Sequence, residues 1–195
     1  MSVGGLYIAN IADALHTAEL ARPSSPSTFY RESLPRFGLY DDAGHTGHVA
    51  LTTEVMTSLP IKFVAGEVVT NLSFRSGATA AGTPLNWWFA LYDDSATPAL
   101  LAQTADQTTT AWAANTTKTL ALATAQTIDA TGVYWVSIMM KATTVVTLLG
   151  TVCAPAIVTG MRNMSVSSGS ALTATAPATI ATPTAKQFAP YCVAT

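Results

Sequence analysis

Charge is scarce in this sequence. Asp, Glu, Lys and Arg make up 10% of its 195 residues, whereas a soluble domain normally has about a quarter of its residues charged. The stretch between Arg75 and Arg162 has the following charged residues: Asp93, Asp94, Asp106, Lys118, Asp129 and Lys141. A surface of this kind stays hydrated through hydroxyl groups or is covered by other subunits. This scarcity favours a component of an assembly over an enzyme.

Basic clusters are lacking as well. The nine Lys and Arg residues are scattered along the chain, and the formal net charge is −2. No aromatic-plus-basic motif accompanies them. We therefore expect neither nucleic-acid binding nor attraction to a membrane through a polybasic segment.

One apolar stretch, residues 132–150, is long enough to span a bilayer as a helix. However, Lys141 and the pair Thr143 and Thr144 lie near its middle, and the residues around them are β-branched or aromatic. That composition favours two strands joined by a short turn. We expect no membrane-spanning segment here.

Signatures of catalysis and metal binding are also missing. The chain has neither a G-x-S-x-G nucleophile motif nor a G-x-x-x-x-G-K phosphate loop. Cys153 and Cys192 lie far from any histidine in the sequence, and they are either two thiols or one disulfide of an oxidising compartment. His45 and His48 lack further zinc ligands nearby. The sequence predicts no catalytic residue, no cofactor, no metal site and no enzymatic activity.

The tetrapeptide Leu-Tyr-Asp-Asp occurs twice, at 39–42 and 91–94. Paired carboxylates can bind Ca²⁺ or act in glycoside hydrolysis, so a hydrolase using Asp41, Asp42, Asp93 or Asp94 is one alternative. No D-x-D-x-D-G loop supports a calcium site. An Asp that follows a strand typically accepts backbone N–H groups in an Asx turn, which is the interpretation that we favour.

Runs of Thr, Ala, Val, Leu and aromatic residues are abundant, and they predict β-strands. The predicted strands cover 67–75, 85–92, 100–104, 116–122, 133–140 and 145–149, the first of them with the alternation of a half-buried strand. No helical pattern separates them. The sequence therefore predicts an all-β fold, an antiparallel β-sandwich or jelly roll.

Three regions follow from this pattern. Residues 1–60 form an N-terminal arm or docking segment with a possible short helix over 8–21, and residues 61–160 form the β-sandwich. Residues 161–195 are low in complexity and form an extended tail that packs on the domain or on a neighbour. Full order of this tail is expected only between subunits, where Phe188 and Tyr191 would act as interface anchors.

Tryptophans provide the remaining candidate sites. Trp87 and Trp88 are adjacent on a predicted strand and point to opposite faces, so we expect one in the core and the other, Trp88, in an interface. Trp112 lies in a polar loop. It either folds back on the end of the sandwich or stacks on a sugar, and in the second case Asp93 and Asp94 complete a carbohydrate-binding site.

Three stretches carry a resemblance to a known family. They read VTNLSFRSGATAAGTPLNWWFALYDD, ALLAQTADQTTTAWAANTTKTLALA and QTIDATGVYWVSIMMKATTVVTLLG. The order is a strand ending in ALYD, a short LLA strand, a Trp-bearing polar loop, a Thr-Leu-Ala strand and a Gly-x-Tyr-x-Val strand. This order resembles a β-sandwich module of minor tail proteins from tailed phages that infect actinobacteria, and it covers under half of the chain.

The resemblance implies a structural virion protein of the tail or tail tip, assembled in the host cytoplasm. It also implies homo-oligomers, with a trimer favoured, and contacts with other virion proteins and possible host cell-wall glycans. Capsid decoration on the phage head and a stand-alone carbohydrate-binding module are the alternatives. No catalytic residue carries over from the family.

Overall fold

The computed structural model describes residues 31–33 and 49–195, and every regular element among them is a β-strand. In chain order the strands are β1 (Arg31–Glu32), β2 (Val49–Ala50), β3 (Met56–Phe63), β4 (Val68–Arg75), β5 (Gly82–Tyr92), β6 (Leu100–Gln103), β7 (Thr117–Thr127), β8 (Gly132–Thr144), β9 (Thr147–Leu148), β10 (Gly150–Val152), β11 (Val166–Ser168), β12 (Thr184–Ala185), β13 (Phe188–Pro190) and β14 (Cys192–Ala194). The possible helix over 8–21, most of the arm, both histidines of the H-x-x-H pair, Asp41 and Asp42 lie outside the described residues.

The strands form two main antiparallel sheets. One has the order β1-β14-β4-β7 and the other has the order β12-β11-β3-β8-β5-β6, while β2 pairs with β9 and β10 pairs with β13. The predicted antiparallel, all-β sandwich is therefore confirmed. The apolar stretch 132–150 contributes β8, which pairs with both β3 and β5. Within the part of the chain that the structure describes, no helix is long and apolar enough to cross a membrane.

The main core lies between the two sheets. Alternate residues of β5 point to it because successive side chains of a strand face opposite sides: Trp87, Phe89 and Leu91 are all fully buried. The Phe89 ring packs on Phe74 of β4 in the facing sheet, with 4.7 Å between the ring centroids. This contact joins the two layers of the sandwich.

A second core covers the opposite face of the six-stranded sheet. Here residues 165–180, which we call the covering segment, begin with strand β11 of this sheet and then lie across its face. The buried members of this core are Met56, Trp88, Ala90, Tyr92, Trp135, Met139, Val166, Ala176 and Ile180. Trp88 donates its indole N–H to the carbonyl oxygen of Thr173 at 2.7 Å, and the Tyr92 hydroxyl donates to that of Pro177 at 2.9 Å. Three layers result, with the six-stranded sheet in the middle.

The C-terminal segment, residues 165–195, is thus built into the fold of its own chain. Its β11 extends the six-stranded sheet beside β3, and its β14 lies between β1 and β4 in the other sheet. Phe188 of β13 is buried. The order expected for this segment only between subunits is already present within one chain.

Strand β3 is absent from the predicted strands, and one reason is that it contains a proline, Pro60. Proline cannot donate a ladder hydrogen bond and is confined to edges and strand starts. The neighbour β11 pairs with β3 only over residues 56–58, whereas β8 pairs with it over residues 57–63. Pro60 therefore lies where β3 is an edge strand on one side, and its missing N–H leaves no partner unsatisfied.

Candidate functional site

Trp112, the predicted sugar-stacking residue, is fully buried. Its ring centroid lies 4.9 Å from that of Trp87 and 5.8 Å from that of Phe89, and its indole N–H donates to the carbonyl oxygen of Thr116 at 3.1 Å. Burying an indole is favourable when its one donor finds an acceptor, and the polar loop supplies a backbone carbonyl. Of the two alternatives for Trp112, the ring folded back on the sandwich is therefore confirmed, and the exposed sugar platform is not.

Asp93 organises the turn after β5. Its Oδ1 accepts hydrogen bonds from the backbone N–H of Ser95 at 3.1 Å, the Ser95 hydroxyl at 2.7 Å and the backbone N–H of Ala99 at 2.8 Å. Burial raises the pKa of Asp93, but the hydrogen bonds from Ser95 and Ala99 outweigh burial and hold the pKa below its usual value. This is an Asx turn, in which the carboxylate is engaged in holding the backbone.

Asp94 forms a separate cluster with Arg162. The Asp94 Oδ1 accepts from Arg162 Nη2 at 2.7 Å, and its Oδ2 accepts from the backbone N–H of Val133 at 3.0 Å. Arg162 Nη1 donates to the carbonyl oxygen of Val133 at 3.0 Å, and the guanidinium lies 5.3 Å from the Trp135 ring centroid. A Cβ at position 132 would collide with the Asp94 carboxylate, so a larger residue than Gly132 would displace this side chain. We call these residues the Arg162 anchor.

The predicted sugar-binding residues are therefore not joined in one site. Trp112 is enclosed in the main core, whereas Asp93 and Asp94 are tied to the backbone and to Arg162. A sugar-binding site needs an accessible ring beside free polar groups. The structure does not provide this combination at these three residues.

Two of the three predicted interface residues are buried within the fold, and the third, Tyr191, is half-buried. Trp88 is fully buried beneath the covering segment, and Phe188 is buried in β13. The Tyr191 hydroxyl donates to Oε1 of Glu32 at 2.8 Å. The expectation that Trp88 faces outward was wrong, because the covering segment gives the outer face of the sheet a core of its own.

Both cysteines are free thiols, Cys153 partly exposed and Cys192 fully buried. Burial raises the pKa of Cys153, and it raises that of Cys192 strongly despite a backbone hydrogen bond from Ser73. A raised pKa disfavours the thiolate, which is the nucleophilic form. Neither thiol has the character of a catalytic nucleophile.

Among the described residues, the four most exposed large apolar side chains and a fifth, Met164, lie in residues 152–164, which we call the apolar loop. Their exposed fractions are 59% for Val152, 79% for Ile157, 64% for Val158, 51% for Met161 and 41% for Met164. Arg162 is the one charged residue in this range of the sequence, and Asp94 pairs with it. Large exposed apolar side chains that are concentrated in one segment, rather than scattered singly, point to an interaction site.

The two ends of the apolar loop lie close together. At one end Cys153 donates its backbone N–H to the carbonyl oxygen of Gln187 at 3.0 Å. Just past the other end, Lys186 donates its backbone N–H to the carbonyl oxygen of Ser165 at 2.9 Å. Because residues 186 and 187 are neighbours, the chain leaves and returns at nearly the same place, as in an Ω-loop.

Internal contacts give the apolar loop a defined shape. Met161 donates its backbone N–H to the carbonyl oxygen of Val158 at 3.2 Å across a turn in which Gly160 has a φ of +85°. Glycine adopts this left-handed conformation without a steric penalty. Ala156 donates its N–H to Oδ1 of Asn163 at 2.8 Å, and Arg162 ties the returning limb to its anchor.

Sequence reasoning missed this loop. The available signal was a group of large apolar residues between Pro155 and Gly160 with neither strand alternation nor helical spacing. The lack of a period argues against a strand or helix at this group, but it does not tell whether the side chains are buried or exposed.

In comparisons with known proteins, no family model matches this chain and no curated protein matches it.

Proposed function

We propose that this chain is a structural protein that assembles with copies of itself through the apolar loop, and that it has no catalytic role. The observation that carries the proposal is the exposure of Ile157, Val158 and Met161 at the tip of that loop. Exposed side chains of this size are stabilised when a partner removes them from water, at about 25 cal/mol per Å² of apolar surface.

The length of the apolar loop supports a role beyond connection. Its ends meet the adjacent residues Lys186 and Gln187, and a connection between such near points needs only about two to five residues. The additional residues therefore serve something other than closing the fold. Contact with another subunit accounts for both their number and their apolar character.

Charge favours a second copy of this chain as the partner. In a two-fold contact the same patch meets itself, so a patch with unpaired charge of one sign would repel its own copy. Residues 152–161 carry no charge, and the charge of Arg162 is paired with Asp94. The loop is thus electrostatically compatible with self-association.

The sequence resemblance suggests where such an assembly would occur. We propose the virion of a tailed phage, with this chain as a minor tail or tail-tip protein, and with decoration of the head as the alternative. The scarcity of charge and the Thr-rich strand surfaces support a protein that works among neighbouring subunits. Labelling the chain in electron microscopy of virions would test this placement, and particles that never carry the label would contradict it.

The assembly itself is tested by a triple variant, Ile157→Ser, Val158→Ser and Met161→Ser. We expect the wild-type chain to sediment as an oligomer at micromolar concentration and the variant to sediment as a folded monomer that still unfolds cooperatively, with a Tm that no longer depends on protein concentration. The side chains are already exposed, so their replacement should cost the single subunit little.

A matched control replaces exposed apolar residues elsewhere: Val68→Ser, Leu85→Ser and Leu101→Ser, whose wild-type side chains are 45%, 45% and 37% exposed. This control should keep the oligomer, because these residues lie outside the apolar loop. A wild-type chain that stays monomeric, or a loop variant that assembles like the wild type, would contradict the proposed function.

A further inference from the structure

The C-terminal segment, residues 165–195, is held almost entirely by contacts with the rest of the chain. Its own pairing is limited to β11 with β12 and the bond from Lys186 to Ser165. Elsewhere it pairs with β1, β3, β4 and β10. A segment of this kind has no core of its own and becomes ordered only by lying on a folded body.

The covering segment is attached mainly through its backbone. Gln103 donates to the carbonyl oxygen of Ala174 at 2.8 Å and accepts from the N–H of Ala176 at 2.6 Å. Leu172 donates its N–H to the carbonyl oxygen of Glu54 at 3.1 Å. These bonds, with those from Trp88 and Tyr92, fix the segment in one register on the sheet.

The body beneath depends on this cover. Trp88, Tyr92, Trp135 and Met139 belong to the core that the covering segment closes, so an uncovered sheet would expose a large apolar face. The surface is complementary to this one segment, whichever copy of the chain supplies it.

A single connection joins the segment to the body, and it is the apolar loop. Connections between elements are usually polar and rich in turn residues, whereas this one exposes Ile157, Val158 and Met161. If the loop opened and crossed to a second body, two such loops would meet at the crossing point. Their apolar side chains would then be buried against each other.

We propose that copies of this chain exchange their C-terminal segments, each lying on the body of another copy, with the apolar loop as the hinge. The exchanged segment makes the same contacts as in the closed chain, which is why domain exchange is an accessible route to oligomers. The burial of the crossing loops favours the exchanged form. This inference rests on the self-assembly proposed above and adds which part of the chain passes between copies.

A disulfide across the body and the segment tests the exchange. Ala99 and Thr179 form an isolated antiparallel bridge, flanked by the bonds from Ile180 to Pro98 and from Leu100 to Ala178, each 2.9 Å long. They are therefore a non-hydrogen-bonded pair, whose Cα atoms lie about 4.5 Å apart, within disulfide range. The variant combines Ala99→Cys and Thr179→Cys with Cys153→Ser, and Cys192 stays buried.

The oxidised oligomer is then separated on a denaturing gel without reductant. Exchange predicts covalently linked species with the same number of chains as the oligomer, all of which return to single chains on reduction. The two single-cysteine variants in the Cys153→Ser background are the controls, and neither should give this species.

The outcomes separate the two proposals. An intact oligomer whose disulfides all close within one chain would overturn the exchange and leave the self-assembly standing. A protein that remains monomeric at micromolar concentration, with only intrachain disulfides, would overturn both.

Discussion

At the scale of single residues, Trp87 and Trp88 show how one strand of this protein contributes to two cores. Their side chains leave β5 on opposite faces, and both are fully buried. Trp87 donates its indole N–H to the carbonyl oxygen of Thr110 at 2.9 Å, and Trp88 donates to that of Thr173. Backbone carbonyls of two irregular segments thus satisfy both indoles, which makes dense aromatic packing possible on each side of the sheet.

Trp112 belongs to the same aromatic cluster, and the first prediction concerns it. We expect Trp112→Ala to lower the free energy of unfolding by about 3–5 kcal/mol, as for other buried aromatic residues, because a cavity would open beside Trp87 and Phe89. Urea unfolding measures this change. Leu85→Ala, at a 45% exposed side chain, is the control and should stay within about 0.5 kcal/mol.

Binding assays on the same variant address the sugar hypothesis. Under conditions where Trp112→Ala remains folded, binding to cell-wall glycans should be unchanged, since the ring is enclosed. Near-wild-type stability combined with a loss of glycan binding would contradict this description of Trp112.

At the scale of elements, the turn after β5 is held by one carboxylate. Hydrogen bonds to Asp93 hold its folded-state pKa below the usual value despite burial, so the ionised form is favoured by folding. The resulting stability is present above the unfolded-state pKa of about 3.9 and is lost as the pH falls through the lower, folded-state pKa. The turn should therefore weaken in acid.

Asp93→Asn tests this titration, because the amide keeps an acceptor oxygen but cannot be protonated in this range. We expect the wild type to lose more stability than the variant between about pH 7 and about pH 3. Thermal unfolding across this range provides the measurement. Identical pH profiles for the two proteins would show that Asp93 does not contribute to the acid response.

Elements also show what the sequence could and could not predict. The strands that became β4 to β8 were predictable because their apolar and β-branched runs are bounded by turn residues. Within β4 a register shift between Val69 and Asn71 leaves both Val69 and Leu72 buried, which breaks the simple alternation expected for residues 67–75. A bulge of this kind depends on the partner strand and leaves little local signal.

The sequence predicted an extended C-terminal tail that packs on the domain or on a neighbour, but it did not predict the position of the covering segment on the sheet or the exposure of the apolar loop. Residues 165–180 mix Thr, which favours strands, with Ala, Gly and Pro, which do not. Their order comes from the sheet beneath them, which local sequence does not encode. Ile157 and Val158 resemble core residues by type, and only the fold reveals that they are exposed. Sequence patterns therefore found the sheets but assigned the wrong residues to the surface.

At the scale of the whole molecule, both sheets of the sandwich depend on the C-terminal segment. Strand β14 lies between β1 and β4, with Cys192 and Ala194 fully buried. The last carbonyl group, of Thr195, accepts from the N–H groups of Thr70 and Asn71 at 2.6 and 2.8 Å. It thereby satisfies two backbone N–H groups at the register shift in β4. The C-terminal segment is therefore low in sequence complexity but central to the structure.

Removing residues 191–195 is therefore expected to destabilise the protein on the order of 5 kcal/mol, comparable with the total stability of an ordinary domain. The deletion exposes the long edge of β4 and opens the main core at Cys192. Urea unfolding and soluble yield measure the effect. As the matched control, residues 155–161 of the apolar loop are replaced by Gly-Gly, which removes a similar length of chain outside both sheets. Because the loop is also the proposed contact between copies, the truncation is made in the Ile157→Ser, Val158→Ser and Met161→Ser variant, which is the reference for both proteins. The control should unfold at nearly the urea concentration of this reference, and a truncated chain that does the same would contradict the central role of β14.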